Sequence, residues 1–345
     1  MVGGRGGRNR PPSMIDVAKQ AGVSHQTVSR VLNTPDVVRP ETRRRIERAM
    51  QELGYRRNSQ ARALKTRSTG LIGVVCSADF SFTPGRLVVA IEEAAREAGF
   101  VTALRVIKEI DEEAVRNTVE FFLGHGIESI VVLAPLPEMA EAAQQMAQRL
   151  PTVTISSGLD PAGGLHVIRV DQNFGARLAT EHLVGLGHRS IAHLAGPHGW
   201  YWAEGRIRGW AETLRESGLK DDLLVVSEGW AANDGYAAAQ ELLTGGVRPG
   251  AVFAANDYMA LGAIRAFEEV GLRVPDDISV MGYDDVEAAA FFSPSLTTVR
   301  EPSEQAARAA VDTLIAFAGG ASAEHSSLRP ELVMRASTTP AHGPR

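Results

Sequence analysis

The sequence is nearly without cysteine: Cys76 is the only one in 345 residues. It allows neither an intrachain disulfide framework nor a cysteine metal cluster, and a reducing compartment suits such a chain. Long apolar runs are also missing. Nothing approaches the roughly 18 residues that span a membrane, and the opening Met1-Val2-Gly3-Gly4-Arg5 is basic without the apolar stretch of a secretory signal. A cytoplasmic protein with no membrane partner is the expectation. Catalytic signatures are lacking as well, with no Gly-x-Ser-x-Gly elbow and no Walker loop. Gly3-Gly4-Arg5-Gly6-Gly7 follows no strand, so it is no dinucleotide loop. His182 and His188 stand six apart and His193 lies in a strand-like run, with no metal-ligand pair on one helix face. No catalytic residue, metal or cofactor is expected.

What is present is an uneven distribution of charge. The formal net charge is −5, but residues 1–70 hold 15 Lys+Arg against 5 Asp+Glu, while the remainder is strongly acidic. A basic head on an acidic body suggests that the head alone meets a polyanion, although a solvated basic face explains charge by itself equally well. Hydrophobic content of 44% and charged content of 22% otherwise fit an ordinary globular chain of two or three domains.

Residues 1–12, rich in Gly, Pro and Arg, read as a disordered leader. Three short helical patterns follow. Ser13-x-x-Asp16 is a capping-box start, Ile15, Val17, Ala18 and Ala21 fall within one half of a wheel, and Gly22 ends the helix. Ser24 caps a second helix through about Leu32. Pro40 opens a third, in which Ile46, Ala49, Met50 and Leu53 repeat at helical spacing before Gly54. On the second helix His25, Gln26, Ser29 and Arg30 span a polar arc of roughly 140°, opposite Val28, Val31 and Leu32. A recognition helix needs this division: one face packs on the first helix, the other reads base edges. Gln pairs with adenine and Arg with guanine through bidentate contacts.

From Leu71 the texture becomes strand–helix alternation. Strand-like runs are Leu71–Cys76, Val101–Val106, Ile127–Leu133, Val153–Ile155, Ser190–Leu194, Leu223–Val226, Ala251–Phe253 and Ile278–Met281, with amphipathic segments such as Arg86–Ala98, Glu112–Leu123, Phe174–Leu186 and Tyr258–Val270 between them. Continuous apolar strands alternating with helices predict parallel sheets covered on both faces. About 270 residues exceed one ordinary core, so two lobes are expected. Asn256-Asp257 follows a strand and opens a helix, where open α/β sheets bind ligands; Asp257 reads equally as a helix cap. Asp285 lies just past another strand end, in the same crevice.

The run Ile15-Asp16-Val17-Ala18-Lys19-Gln20-Ala21-Gly22-Val23-Ser24-His25-Gln26-Thr27-Val28-Ser29-Arg30-Val31-Leu32-Asn33 resembles the helix-turn-helix of the lactose/galactose repressor (LacI/GalR) family, and the similarity continues through Thr42–Tyr55 and almost the whole chain. The resemblance implies that His25, Gln26 and Arg30 read bases while Ser24, Thr27, Ser29 and Asn33 sit near the DNA backbone. Asn58–Thr66 resembles the family's hinge helix, which implies DNA contacts from Asn58, Ala61, Leu64 and Lys65, with Leu64 a wedge in a minor-groove step. Such a short helix is marginal alone and would fold when DNA and the dimer partner are both present. Arg57 stands where the family usually has proline.

For the body the family resemblance implies two lobes like those of periplasmic sugar-binding proteins, crossed by three strands with the ligand between them. Glu181–His188, Asn256–Gly262, Gly282–Asp285 and Leu296–Val299 match its pattern. Arg206, Trp230, Asn256 and Asp285 are thereby implied in the pocket, and Arg206 opens a helix toward a core Trp210; on the other lobe Ser77, Asp79 and Phe82 follow the first strand and are candidates by position, the Asp79–Gly85 loop departing from the family pattern. The implied domains are 13–57 (DNA-binding), 58–70 (hinge) and 71–340 (effector-binding), with one lobe from about 71–169 and 300–328 and the other from about 170–299 and 329–340. The tail 336–345 offers no coiled-coil heptads, so a homodimer on an approximately palindromic operator is expected. The implied function is a cytoplasmic, nucleoid-associated repressor controlled by a small effector, most often a sugar in this family and sometimes a nucleoside. A sugar-binding transport protein and an α/β enzyme are the alternatives from other classes.

Overall fold

The computed structural model describes residues 12–55, 68–77, 83–159, 165–318 and 326–341. The chain forms two units, Met1–Thr69 and Gly70–Arg345.

The first unit has three helices, α1 (Met14–Ala21), α2 (His25–Asn33) and α3 (Pro40–Leu53). Its ends are fixed by sequence-local chemistry. Asp16 Oδ2 accepts from the Ser13 amide at 2.8 Å while Ser13 Oγ accepts from the Asp16 amide, the reciprocal box that the spacing predicts. Gly22 and Gly54 end α1 and α3 at φ of 62° and 63°, left-handed values that glycine adopts without a Cβ clash. Val17, Ala18, Ala21, Val28, Val31, Ile46 and Ala49 form the core. Ile15 is not part of it and is 67% exposed, because it sits at the rim of the apolar arc of α1. Arg45 of α3 donates to the Ala21 carbonyl at 2.9 Å and the Gly22 carbonyl at 3.3 Å. A guanidinium thus satisfies the carbonyls left open at the α1 C-terminus and holds the turn that aims α2.

In the second unit the order is β1 (Leu71–Ser77), α4 (Thr83–Glu97), β2 (Val101–Ile107), α5 (Glu112–Gly124), β3 (Ser129–Leu133), α6 (Pro137–Ala147), β4 (Thr152–Ile155), β5 (His166–Val170) and α7 (Gln172–Gly185). There follow β6 (Ile191–Ala195), α8 (Tyr201–Glu216), β7 (Leu224–Val226), α9 (Ala232–Thr244), β8 (Ala251–Ala254), α10 (Asp257–Glu269), β9 (Ser279–Met281), β10 (Thr298–Arg300), α11 (Ser303–Ala318), β11 (Ser326–Leu328) and β12 (Glu331–Val333). One sheet runs β11-β5-β4-β3-β1-β2 and another β7-β6-β8-β9, with every pairing in both parallel. β10 and β12 pair antiparallel as a separate ribbon. In the first sheet α4 and α11 cover one face and α5 and α6 the other; in the second, α9 and α10 oppose α7 and α8. These are the two doubly wound lobes that the alternation predicts. Burying a side chain such as Val311 or Leu314 of α11 in this setting contributes about 1.5–3 kcal/mol.

Every strand-like run of the sequence is a strand. The short β5 and β10–β12 carry too little alternation to stand out in the sequence, and their pairing partners lie far away in the chain. His182, His188 and His193 are structural. His182 Nε2 lies 3.0 Å from Thr338 Oγ1 and His188 Nε2 lies 2.9 Å from the Thr339 carbonyl, tying down the C-terminal segment. His193 stacks on Phe253 and its Nδ1 bonds the Phe253 carbonyl at 2.8 Å; burial pushes its pKa down to about 4. Among the described residues no helix is long and apolar enough to cross a membrane.

Candidate functional site

In the first unit the polar arc of α2 faces outward. His25, Gln26 and Arg30 are exposed, Ser29 is half-buried, and Val28 and Val31 are in the core. Ser24 is the N-cap, its Oγ accepting from the Thr27 amide at 3.2 Å and lying 2.8 Å from Thr27 Oγ1. These two residues stiffen the start of α2, so that the side chains at its N-terminal turn project from a fixed frame. Asn33 is the last residue of the helix. Asn58, Ala61, Leu64 and Lys65 lie outside the described residues, as do Asp79 and Phe82.

In the second unit, polar groups converge beyond the C-terminal ends of the parallel strands. A cleft of about 790 Å³ is walled by Arg86, Asp284, Asp285, Glu301 and Ser303 among others, so Asp285 lies in the crevice as expected. A smaller, more enclosed cavity shares Glu301 and Ser303 and adds Ser156, Gln172 and Trp202. Arg206 is at the centre, 1% exposed. It lies in the second turn of α8 rather than opening the helix, because α8 already starts at Tyr201. Its Nε donates to Gln172 Oε1 at 2.9 Å, one terminal nitrogen donates to the Ala255 carbonyl, and the other reaches Glu301 Oε1 at 3.2 Å and Asp284 Oδ1 at 3.4 Å. Its guanidinium carbon stands 3.7 Å from the Tyr283 ring centroid and 5.7 Å from that of Trp230. Burial works against this charge, but the surrounding carboxylates, Asp284 foremost, outweigh it and raise the pKa.

Trp230 packs edge-on against Trp200 at 5.5 Å, and Trp200 lies 6.0 Å from Trp202. A Cβ at Gly196 would run into the Trp230 ring, so glycine is needed there for the ring to lie flat on the strand end. The Trp230 Nε1 is buried and meets no hydrogen-bond partner among the described residues. Asn256 is the N-cap of α10, its Oδ1 accepting from the Met259 amide at 2.7 Å and its Nδ2 donating to the Trp230 carbonyl at 2.9 Å. Capping therefore falls to Asn256, not Asp257. The Asp257 carboxyl is fully buried, takes the Thr298 hydroxyl and the Val286 amide, and has its pKa pushed well up by that burial. Ser77 closes β1 and is 5% exposed. Asp171, at the turn after β5, caps α7 through the Phe174 amide at 2.9 Å.

Asp285 does not face Arg206. Its carboxylate accepts from Arg300 Nε at 2.7 Å and from an Arg335 terminal nitrogen at 2.6 Å. Asp284, one residue earlier, is the carboxylate beside Arg206. Both residues have positive φ, 101° and 50°, and Asp285 is engaged by its two arginines instead. Arg86 of α4 donates to the carbonyls of both, at 3.4 Å and 3.1 Å, joining the two lobes across the cleft. Reading the sequence alone missed Gln172, Asp284, Glu301, Trp200 and Trp202. The strand-end rule does point to Asp284 as well as to its neighbour, but for Glu301 the preceding strand is only three residues long. Among the described residues no cluster of three His, Cys, Asp or Glu side chains could hold a metal.

Residues 13–58 match the family profile for bacterial regulatory proteins of the lacI family, and residues 180–338 match the periplasmic binding protein-like domain. The chain is 35% identical over 333 residues to the lactose operon repressor of Escherichia coli (strain K12), covering 96% of this chain and 91% of that protein. It is 34% identical over 306 residues to the ribose operon repressor of the same strain, covering 88% and 92% respectively. Its structure matches the crystal structure of the lac repressor dimer bound to operator and the anti-inducer ONPF, with a TM-score of 0.81, 34% identity, and 96% and 100% of the two chains covered. With a helix-turn-helix unit and a two-lobed body each matched in sequence and fold, the chain belongs to the lacI family of DNA-binding transcription regulators.

Proposed function

We propose that this protein is a transcription repressor that binds an approximately palindromic operator as a homodimer, with an affinity set by a sugar bound between the lobes of its body. His25, Gln26 and Arg30 read base edges, and Ser24, Thr27, Ser29 and Asn33 lie at the phosphates. The segment 58–70 is the hinge, in which Leu64 wedges a minor-groove step, Lys65 holds phosphate, and Asn58 and Ala61 also contact DNA. The effector lies against Trp230 and Trp202, within reach of Arg206, Asp284, Asn256, Ser77 and Glu301.

The observation that carries this reading is the buried Arg206, near the Trp230 ring and fixed by Gln172 and by two carboxylates, Asp284 and Glu301, that wall the cleft. Hydroxyl-rich ligands need such paired acceptors and donors on one side and an aromatic platform on the other. The names of the lactose and ribose operon repressors point the same way. Dimerisation has its own support: Val101, Leu104 and Val106 on the edge strand β2 are 63%, 49% and 42% exposed, and Phe291 on the second lobe is 83% exposed. Apolar groups clustered at an unpaired sheet edge mark an interaction surface.

The test is operator affinity at several salt concentrations, with and without members of a sugar and nucleoside panel. A steep salt slope together with a sugar that shifts affinity supports the reading. A flat slope points to a transport-type binding protein, and a response to nucleosides alone replaces the sugar.

A further inference from the structure

We infer that the cleft selects an effector that is uncharged or cationic where it meets Glu301, and that Glu301 is the residue rejecting phosphorylated and carboxylated ligands. This rests on the effector-site reading above and narrows its chemical class.

Among the described residues Arg206 is the only cation buried in the site, and its donors already serve Gln172, the Ala255 carbonyl, Asp284 and Glu301. Two carboxylates therefore surround one guanidinium. Arg86 at the rim directs a terminal nitrogen at the carbonyls of Asp284 and Asp285. Arg300 and Arg335 are paired to Asp285. An incoming anion thus meets a site whose cations are engaged and whose balance beside Arg206 is negative.

Glu301 is placed to enforce this. It separates the open cleft from the enclosed cavity and walls both. Its side chain is 10% exposed. Oε1 accepts from Gln172 Nε2 at 2.6 Å and from Arg206, while no hydrogen bond among the described residues reaches Oε2. A carboxylate oxygen held in this way can only accept, so its partner on the ligand has to be a donor, a hydroxyl or an ammonium. A phosphate or carboxylate there brings acceptors to an acceptor and like charge to like charge in a site shielded from water, where repulsion is strongest. The enclosed cavity, about 10 Å³ in volume and bordered by Ser156, Ser303 and Trp202, has no further cation among its described lining residues.

The experiment uses the full-length protein and calorimetry with ribose, galactose, glucose, lactose and cellobiose, and with ribose 5-phosphate, galactose 6-phosphate and glucose 6-phosphate. Expected is binding of at least one neutral sugar, with its phosphorylated counterpart weaker by about ten- to a hundredfold, the range of a charge-assisted hydrogen bond. Glu301→Gln, which keeps the shape and removes the charge, should weaken the neutral sugar and narrow that preference about tenfold or more. Glu301→Asp keeps the charge and should preserve rejection of the phosphate even where affinity drops. Far-ultraviolet circular dichroism and a cooperative thermal transition like that of wild type show that each variant is folded. A phosphorylated sugar that binds wild type as tightly as the neutral one overturns the inference and leaves the effector site standing, as does a preference unchanged in Glu301→Gln. A panel in which neither class binds removes the sugar reading itself, and this inference with it.

Discussion

Replacing Asp285 by Asn should destabilise the body by about 2–3 kcal/mol while leaving the groups around Arg206 in place. Asparagine keeps the size of the side chain and tolerates the left-handed backbone at φ 50°, so the change removes charge and one acceptor without adding strain. The Asp285 side chain is 6% exposed and takes two arginines, of which Arg335 is 17% and Arg300 47% exposed. Removing one member of a buried pair costs about 3–5 kcal/mol. The figure here is lower, because Arg300 is half in water and recovers its hydration. Urea unfolding of the body at pH 7, followed by tryptophan fluorescence, measures the difference. The pH dependence gives a second check. Burial alone would raise the Asp285 carboxyl pKa, but the hydrogen bonds from Arg335 and Arg300 outweigh it and hold it below 3.8. A carboxylate with a lowered folded pKa contributes stability that is present above its unfolded value and lost as pH falls through the folded one. The gap between wild type and Asp285→Asn should therefore persist down to about pH 4 and close below that. A variant that unfolds at the wild-type urea concentration at pH 7 refutes the reasoning.

On the DNA side, Gln26→Ala and Arg30→Ala should each cost about 1–3 kcal/mol of specific binding, with specificity relaxed at particular base pairs. Competition across single-base operator variants checks this, and a uniform loss over all sequences would reassign both residues to phosphate. Asp charges placed on both exposed apolar surfaces, by Leu104→Asp with Phe291→Asp, should turn a dimer into monomers in sedimentation. His193, neutral when folded with a pKa of about 4, should make the protein less stable as pH falls from 6.5 towards 4, by roughly 3 kcal/mol over that window. His193→Leu should remove this part of the slope while lowering stability at pH 8 through loss of the Phe253 contact.

The sequence is most legible where structure is local. The capping box at Ser13, the glycines at 22 and 54, and the polar arc of α2 each depend on residues within a turn or two, and all are present as read. The lobes are legible because a strand buried on both faces is a continuous apolar run. The choice between Asp284 and Asp285 is of another kind. It depends on Arg335, fifty residues away, coming alongside. Capping passes from Asp257 to Asn256 for a similar reason, since the buried partner of Asp257, Thr298, belongs to the short ribbon strand β10. The Trp200–Trp202–Trp230 cluster needs α8 and the loop after β7 to meet, which no periodicity reveals.

The helix α11 packs against α4 and the first sheet, although it follows β5 by about 130 residues of chain. During synthesis the first lobe therefore waits with one face uncovered while the whole second lobe emerges. At ordinary elongation rates that delay is on the order of 10 s, long compared with the folding of a helix or a small domain. The apolar face awaiting Ala306, Ala310, Val311 and Leu314 is open throughout. The ribosome thus holds a sticky intermediate, and chaperone demand should peak for nascent chains between about residues 170 and 318. A premature stop in that interval releases a chain whose first-made lobe cannot close, so even late nonsense alleles should yield aggregated or degraded products. The helix-turn-helix unit, contiguous and already complete, is the part such alleles could leave behind in folded form.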